Sequence, residues 1–465
     1  MQYGSAVARR VGLFGGDRSG SFAIMTAMVA AVITLSAGFA VNLAQLYNVR
    51  SSLRQALDSA VTSTARDITV GIIEVDDARE WVERFLKVNG DPTFMSGERL
   101  VLDQLAIDRV SGTVEASAYV DVALYFPLFG VEKERRVRTE SAALYSDKQI
   151  EVAMMLDVTD SMKGQKIKDL KAAASNAVDA LTDGQNKSNP RVRIALVPYS
   201  DGVNVGALAK DVVFVEKADA WDLPPPIDAK QSEINANTGR QSDNCATERK
   251  TEDLKADFSD DAPDAKRKRI INGKAREYYA KVNRDDRLNS CAKAVLKPLS
   301  PDTKALKEQI EDFSVAGYTA GAIGVQWTYY MLSEKWRPAI QKAGLGDGPA
   351  DADPREVAKI AILMTDGEFN TAHADVGGDN RNVRDQGAKS RSYAEAICDR
   401  MKADGIEIFT IGFKLNSSNA RNVLKKCASP DTGSLKRYYE TSTGEELNDA
   451  FMTIARNIEA LVLTH

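Results

Sequence analysis

Apolar residues follow three different patterns along this chain. The first is an uncharged run from Ser19 to Val49, whose centre, Phe22 to Val41, is strongly apolar. Beyond this centre, apolar or small positions recur at spacings of three and four, which predicts that one helix continues outward to about Thr69. These positions are Leu46, Val49, Leu53, Leu57, Ala60 and Thr64. The stripe is expected to pack either on the chain's own domain or on a partner helix.

The central run is long enough to cross a membrane. A spanning helix needs about 20 apolar residues, whereas the apolar part of a cleaved secretory signal has about 7–15. Three arginines and a single acid precede the run: Arg9, Arg10, Arg18 and Asp17. By the positive-inside rule, residues 1–18 are expected to be cytoplasmic, 19–47 to form an uncleaved single-pass anchor, and the rest to be exported. A cleaved signal is the alternative.

The second pattern, in residues 48–148, is an alternation of apolar and polar residues. A short amphipathic helix is predicted over 76–88, and strands are predicted over 100–110, 113–126 and 131–145. Such alternation is typical of antiparallel strands with one buried face. It predicts a small membrane-proximal α+β region.

The third pattern, in residues 149–465, alternates continuous apolar runs with amphipathic stretches. Strands buried on both faces are predicted at 149–157, 191–200, 357–367 and 406–413. Helices are predicted at 162–181, 322–332, 393–403, 420–427 and 445–462. Alternating strands and helices indicate an α/β fold with a doubly wound, mainly parallel sheet.

Residues 216–298 interrupt this alternation. The stretch is rich in charge and poor in apolar periodicity, so we interpret it as an insertion at the rim of the sheet. Its basic run, Lys266 to Arg269, lies among many acids. We therefore expect a solvated helix face rather than a binding patch.

Composition excludes several classes of function. The 61 basic and 66 acidic residues give a net charge of -5, which offers no bulk reason to bind nucleic acid. The only histidines, His373 and His465, are too few for chemistry built on histidine pairs or for a site with several histidine ligands.

Oxygen-bearing side chains cluster where the predicted strands end. Asp157 ends the first buried strand, and Thr159 and Ser161 follow it. Asp366 follows a later strand, and Thr319 lies in a loop that leads into a helix. Ligands of open α/β sheets bind at such ends. Carboxylates and hydroxyls suit a hard cation, so we predict a site for Mg²⁺, with Ca²⁺ or Mn²⁺ as alternatives.

The predicted charge of this site favours binding over catalysis. Two carboxylates and three hydroxyls would leave a bound divalent ion attractive to an outside carboxylate, and no general base is evident nearby. Either acid, taken alone, is as consistent with simple helix capping.

The same residues resemble the metal-ion-dependent adhesion site of von Willebrand factor A domains. That motif combines D-x-[ST]-x-S after a buried strand, a threonine in a glycine-containing loop and T-D-G after a later strand. Position by position, the matching residues are Asp157, Thr159, Ser161, Thr319 and Asp366. The resemblance covers about 149–463 and implies metal-dependent binding of an acidic partner residue. Thr159 stands where the family usually has serine, and its branched side chain restricts the geometry.

The order of regions is similar to that of the TadG-like proteins of the bacterial tight-adherence (Flp) pilus system. The segment Arg18 to Ser21 before the anchor, the segment Trp327 to Trp336 and the pair Cys398 and Cys427 add to this resemblance. It implies a role in pilus assembly or anchoring, at the bacterial inner membrane, with most of the chain in the periplasm. The implied partners are pilus or secretion components that present an acidic residue.

Export would place the four cysteines in an oxidising compartment, where disulfides persist. Cys398 and Cys427 lie on neighbouring predicted helices, and Cys245 and Cys291 both lie in the insertion. These two pairs are the predicted bridges, although four cysteines allow three connectivities.

We therefore expect a non-enzymatic binding module. One alternative is a metal-dependent phosphohydrolase with Asp157 as nucleophile, although Thr159 stands where such enzymes place a second acid. The other alternative is a structural scaffold whose metal site is vestigial.

Overall fold

A computed structural model gives the fold of the chain. It describes residues 19–69, 71–89, 100–108, 112–127, 133–145, 148–183, 185, 190–271, 273–289, 291–376, 382–433 and 435–464. The predicted cytoplasmic segment, residues 1–18, lies outside the described residues.

The described secondary structure is numbered here in chain order. The helices are α1 (Ser19–Thr69), α2 (Ala78–Asn89), α3 (Gln165–Thr182), α4 (Ala209–Val212), α5 (Gln231–Asn237), α6 (Thr303–Glu311), α7 (Gly321–Tyr330), α8 (Arg337–Lys342), α9 (Gly387–Ala403), α10 (Ser418–Cys427) and α11 (Gly444–Thr464). The strands are β1 (Leu100–Asp108), β2 (Thr113–Ala123), β3 (Glu134–Leu144), β4 (Gln149–Asp157), β5 (Val192–Tyr199), β6 (Val203–Asn204), β7 (Val213–Val215), β8 (Cys245–Ala246), β9 (Lys266–Ile271), β10 (Lys274–Tyr279), β11 (Val282–Arg284), β12 (Lys297–Ser300), β13 (Val357–Thr365), β14 (Glu407–Phe413) and β15 (Tyr438–Thr441).

The chain divides into two compact units. The smaller unit contains the residues up to Ile68 together with 73–145, and the larger contains 69–72 and 146–465. In the smaller unit, β1, β2 and β3 form an antiparallel sheet in that order.

Helix α1 runs without a break for 51 residues, which confirms the predicted continuation to Thr69. Its outer half presents Leu53, Leu57 and Ala60, all fully buried, to one apolar core with Val82 of α2 and Val114 of β2. The stripe therefore packs on the chain's own unit rather than on a partner helix.

The main sheet of the larger unit has the order β12-β5-β4-β13-β14-β15 among the described residues. In this sheet the neighbours β5, β4, β13, β14 and β15 pair in parallel, and the edge strand β12 pairs antiparallel with β5. The predicted α/β class is confirmed. Four of the five described strand pairings are parallel, as expected, but the antiparallel edge strand makes the sheet mixed. The antiparallel edge arises because β12 follows the insertion instead of a crossover helix.

Helices cover both faces of this sheet. Successive side chains of a strand point to opposite faces. Ala153 and Met155 of β4 lie in the core that contains α7 and α9, whereas Val152 and Met154 lie in the core that contains α3 and α11. Burial on both faces explains why β4 is apolar at nearly every position.

The insertion contains short strand pairs, and the predicted helix in its basic run is wrong. Lys266–Ile271 is strand β9, which pairs antiparallel with β10. Arg267 on this strand bonds to Asp257 and Asp261 at 2.7 and 2.8 Å. A row of charged residues carries no apolar period, so the sequence could not distinguish a helix from a strand here.

Both predicted disulfides are present. Cys245 is bonded to Cys291 within the insertion. Cys398 of α9 is bonded to Cys427 of α10.

Candidate functional site

The sequence-predicted acids meet at a topological switch point of the main sheet. Asp157 ends β4, and Asp366 directly follows β13, the parallel neighbour of β4. The helix that follows β4 packs on one face of the sheet and the helix that follows β13 on the other. The crevice outside the carboxyl ends of two such strands is where open α/β sheets bind ligands.

Asp157 is fully buried and accepts four hydrogen bonds. Its Oδ1 atom accepts from the Thr159 amide at 2.9 Å and from the Thr159 hydroxyl at 2.6 Å. Its Oδ2 atom accepts from the hydroxyls of Tyr199 at 3.0 Å and Thr365 at 2.7 Å. Sequence analysis missed Tyr199 and Thr365, because strand pairing rather than sequence spacing brings them to Asp157.

Four oxygen atoms form a continuous row from Asp157 to Asp366. Thr159 Oγ1 lies 2.6 Å from Asp157 Oδ1 and 2.8 Å from Ser161 Oγ. Ser161 Oγ in turn lies 2.6 Å from Asp366 Oδ1. We call these four atoms the oxygen row. It joins four of the five sequence-predicted ligands, and one of its two middle members, Ser161, is exposed.

The oxygen row has more contacts than protons. Its three short contacts are served by two hydroxyl protons, since each hydroxyl has a single proton to donate. With both acids ionised, one contact brings two oxygen atoms together with no hydrogen between them. The row is therefore short of positive charge, and either a proton or a cation relieves that deficit.

Burial and the neighbouring carboxylate of Asp366 both disfavour ionisation of Asp157. Together they raise the pKa of Asp157 to about 6. Burial, followed by the charge of Asp157, also raises the pKa of Tyr199 well above its usual value, which keeps this hydroxyl protonated as a donor.

Lys166, at the start of α3, supplies a positive charge to one end of the row. Its Nζ lies 2.6 Å from Asp366 Oδ2, and its side chain is 25% exposed. The sequence carried no sign of this pair, because 200 positions separate the two residues. Lys166 compensates Asp366 but makes no described hydrogen bond to Asp157.

Thr319, the fifth predicted ligand, lies in a loop fixed beside the row. The amide of Asp160 donates to the carbonyl of Gly317 at 3.0 Å, and Gly317 has a positive φ of 76°. The Thr319 amide donates to the Asn370 side chain at 3.1 Å. Among the described contacts, no hydrogen bond joins the Thr319 hydroxyl to the row, so its role as a ligand stays a prediction.

The donor set suits a hard divalent cation. Asp157, Thr159, Ser161 and Asp366 offer only carboxylate and hydroxyl oxygens, which Mg²⁺, Ca²⁺ and Mn²⁺ prefer. The proton shortage within the row shows that these residues fit a cation electrostatically as well as chemically.

A second group of acids has a spacing that could hold a metal, but two protein cations already contact it. Glu216, Asp285 and Asp286 lie in the insertion with ligand atoms close together. Lys250 Nζ lies 2.7 Å from Glu216 and 2.8 Å from Asp285. Arg287 donates two hydrogen bonds from its guanidinium group to the Asp285 carboxylate in a bidentate contact.

No protein-family model and no curated protein matches this chain. Solved structures give weak matches. The von Willebrand factor domain of the type V pili tip protein Mfa5 from Porphyromonas gingivalis is 14% identical, with 68% of this chain and 96% of that chain covered and a TM-score of 0.36.

Two further weak matches are pilus proteins. The pilus adhesin SpaC from Lactobacillus rhamnosus GG is 11% identical, with a TM-score of 0.35, and covers 78% of this chain. This chain spans only 33% of SpaC. The tip pilin GBS104 from Group B Streptococcus agalactiae is 11% identical, with 77% and 68% of the two chains covered and a TM-score of 0.35. At these TM-scores the likenesses carry no conclusion about this chain.

Proposed function

We propose that this chain is a membrane-anchored, exported binding module that uses a divalent cation to bind an acidic group on a protein partner. Asp157, Thr159, Ser161 and Asp366 would hold the cation, with Thr319 as the fifth ligand. The preferred ion is Mg²⁺, with Ca²⁺ or Mn²⁺ as alternatives. The resemblance in domain order extends the proposal to pilus assembly or anchoring.

The single observation that carries this proposal is the charge deficit of the oxygen row. Burial removes water from Asp157, and the hydrogen bonds of Tyr199 and Thr365 hold its carboxylate in place. The row is open to solvent at its exposed member Ser161. When bound, the cation supplies a positive charge that attracts a carboxylate from the partner.

The anchor proposal rests on α1. The segment Phe22–Thr69 is long and apolar enough to cross a membrane, and only 6% of its most apolar window is buried. An apolar core helix would be buried, so the exposure of this segment supports an anchor or a secretory signal. We propose the anchor, with the N-terminus cytoplasmic and the larger unit in the periplasm. Two disulfides in the larger unit suit that oxidising compartment.

The geometry favours binding over phosphoryl transfer. The residue that follows Asp157 by two positions is Thr159, whose hydroxyl donates to Asp157 instead of acting as a second acid.

Co-purification of the full chain from bacterial membranes tests the function. We expect a protein partner to be retained in Mg²⁺ and released by a chelator or by excess acetate. Asp366→Asn should lose the partner. Asp160→Asn, a change of an exposed acid in the same loop, should retain it. Equal retention by Asp366→Asn would favour a structural scaffold with a vestigial site.

A further inference from the structure

The end of strand β2 and the residues that follow it contact the outer end of the apolar segment of α1. A Cβ atom at Gly38 would lie 3.5 Å from the Phe126 side chain, an ordinary van der Waals distance, so Phe126 lies directly against this position of the helix. Gly38 lies three residues before Val41, where the strongly apolar segment ends. At 1.5 Å per residue, this contact is roughly 4–5 Å inside the end of that segment.

Two polar side chains of α1 satisfy the backbone of this turn. The Asn42 side chain accepts from the Phe126 amide at 3.0 Å and donates to the Phe126 carbonyl at 2.7 Å. The Gln45 side chain accepts from the Tyr125 amide at 3.3 Å and donates to the Ala123 carbonyl at 2.8 Å. Asn42 is only 6% exposed, so its amide is committed to this contact.

The aromatic side chains of the turn nevertheless remain uncovered. Tyr125 is 71% and Phe126 is 49% exposed. We call these two residues the aromatic pair. The neighbouring helix positions Phe39 and Leu43 are also exposed, at 59% and 58%, so the apolar surface continues from the helix onto the turn.

We propose that the aromatic pair is a second membrane contact, inserted in the interfacial layer of the bilayer that α1 spans. This inference rests on the proposed anchor. Aromatic rings are enriched at the membrane interface, and backbone enters an apolar layer only when its polar groups are paired. The Asn42 and Gln45 bonds provide that pairing in advance. The contact would hold the β1-β2-β3 sheet at the bilayer surface. Without it, helix α1 alone would connect this sheet to the membrane.

Tryptophan fluorescence of the full chain in vesicles tests this inference. Tyr125→Trp adds a reporter at the aromatic pair, and Val32→Trp adds one near the middle of the proposed span, at a position that is 62% exposed. Arg54→Trp adds a control on α1 about 20 Å beyond Val41. The wild-type signal of the native tryptophans is subtracted from each variant.

Lipids brominated near the upper part of the acyl chain should abolish the emission added by Tyr125→Trp and spare that added by Arg54→Trp. The Tyr125→Trp emission should also shift to the blue when detergent is replaced by lipid. An unquenched, unshifted Tyr125→Trp beside a Val32→Trp reporter that is quenched by deeply brominated lipids would overturn the interfacial contact and leave the anchor intact. If neither reporter were quenched, both the anchor and this inference would be wrong.

Discussion

The oxygen row and the charged network of the insertion both keep carboxylates away from water, but their neighbours differ. In the insertion, the contacts to Asp285 come from nitrogen donors of Lys250 and Arg287, each carrying a proton to donate. In the oxygen row, Asp157 and Asp366 are linked through hydroxyls that have too few protons for their contacts.

The pKa values of Asp285 and Asp157 differ in the same way, whereas burial raises the pKa of Glu216, the other acid on Lys250, to about 7. Despite its burial, the pKa of Asp285 is lowered well below its usual range by hydrogen bonds from Arg287 and by the charges of Lys250 and His373. The pKa of Asp157 is raised, because burial and Asp366 outweigh its hydrogen bonds. Cations of the chain therefore hold Asp285 in its ionised form, whereas the charge of Asp157 is compensated only by a proton or an added cation.

The largest expected effect comes from removing the cation of the insertion network. Lys250→Ala leaves Glu216 and Asp285 buried without their shared cation, which should lower the free energy of unfolding by about 3–5 kcal/mol. Urea unfolding, followed through the buried Trp327 and Trp336, measures this loss. Lys304→Ala, an exposed control, should change the free energy by less than about 1 kcal/mol. Similar losses in both variants would contradict the account of the insertion.

Removing the bridge of the insertion should have the next largest effect. Changing Cys245 and Cys291 together to serine should cost about 3–4 kcal/mol in the chain-entropy account. Because the oxygen row lies on the main sheet, the Mg²⁺-induced rise in melting temperature should survive in this variant. Loss of that rise would show that the two regions are not independent.

Lys166 tests whether a protein cation and an added cation compete for the oxygen row, because in the described structure its ammonium group contacts Asp366. Lys166→Met should raise the affinity for Mg²⁺ on the order of tenfold, since the ammonium no longer competes for Asp366. Lys168→Met, on an exposed face of the same helix, is the matched control. Calorimetric titration measures both, and a weaker affinity in Lys166→Met would indicate that the lysine supports the site.

The smallest expected effect is the pH dependence of cation binding. The folded-state pKa of Asp157 lies above its ordinary value, so its contribution to stability is present below about pH 4 and is lost as the pH rises through 6. A bound cation can compensate the charge of Asp157 only at a pH at which this carboxyl group has lost its proton. With a pKa of about 6, Mg²⁺ affinity should therefore be roughly fourfold weaker at pH 5.5 than at pH 7.5. A stronger affinity at pH 5.5 would contradict this assignment.

Sequence periodicity predicted what depends on local pattern. The continuation of α1 follows from spacings of three and four, and the burial of β4 follows from its continuous apolar run. The convergence of Asp157 and Asp366 followed from the rule that parallel strands end at one edge of a sheet. Among the three possible connectivities, Cys398 and Cys427 were paired from their adjacent helices, and Cys245 and Cys291 from their shared place in the insertion.

Contacts set by tertiary packing could not be predicted in this way. Lys166 reaches Asp366, and Tyr199 reaches Asp157, only after the sheet has formed. The same is true of Lys250, whose partners Glu216 and Asp285 are far from it in sequence. The antiparallel β12 was missed because its direction depends on the path of the insertion.

Isothermal titration of Mg²⁺ into the full chain at pH 7.5 tests the central claim most directly. We predict one saturable site per chain that is absent in Asp157→Asn, a change that keeps the size of the side chain and removes its charge. Asp160→Asn should bind as the wild type does. Equal binding by the wild type and Asp157→Asn, or no binding by either, would contradict the claim that the oxygen row holds a divalent cation.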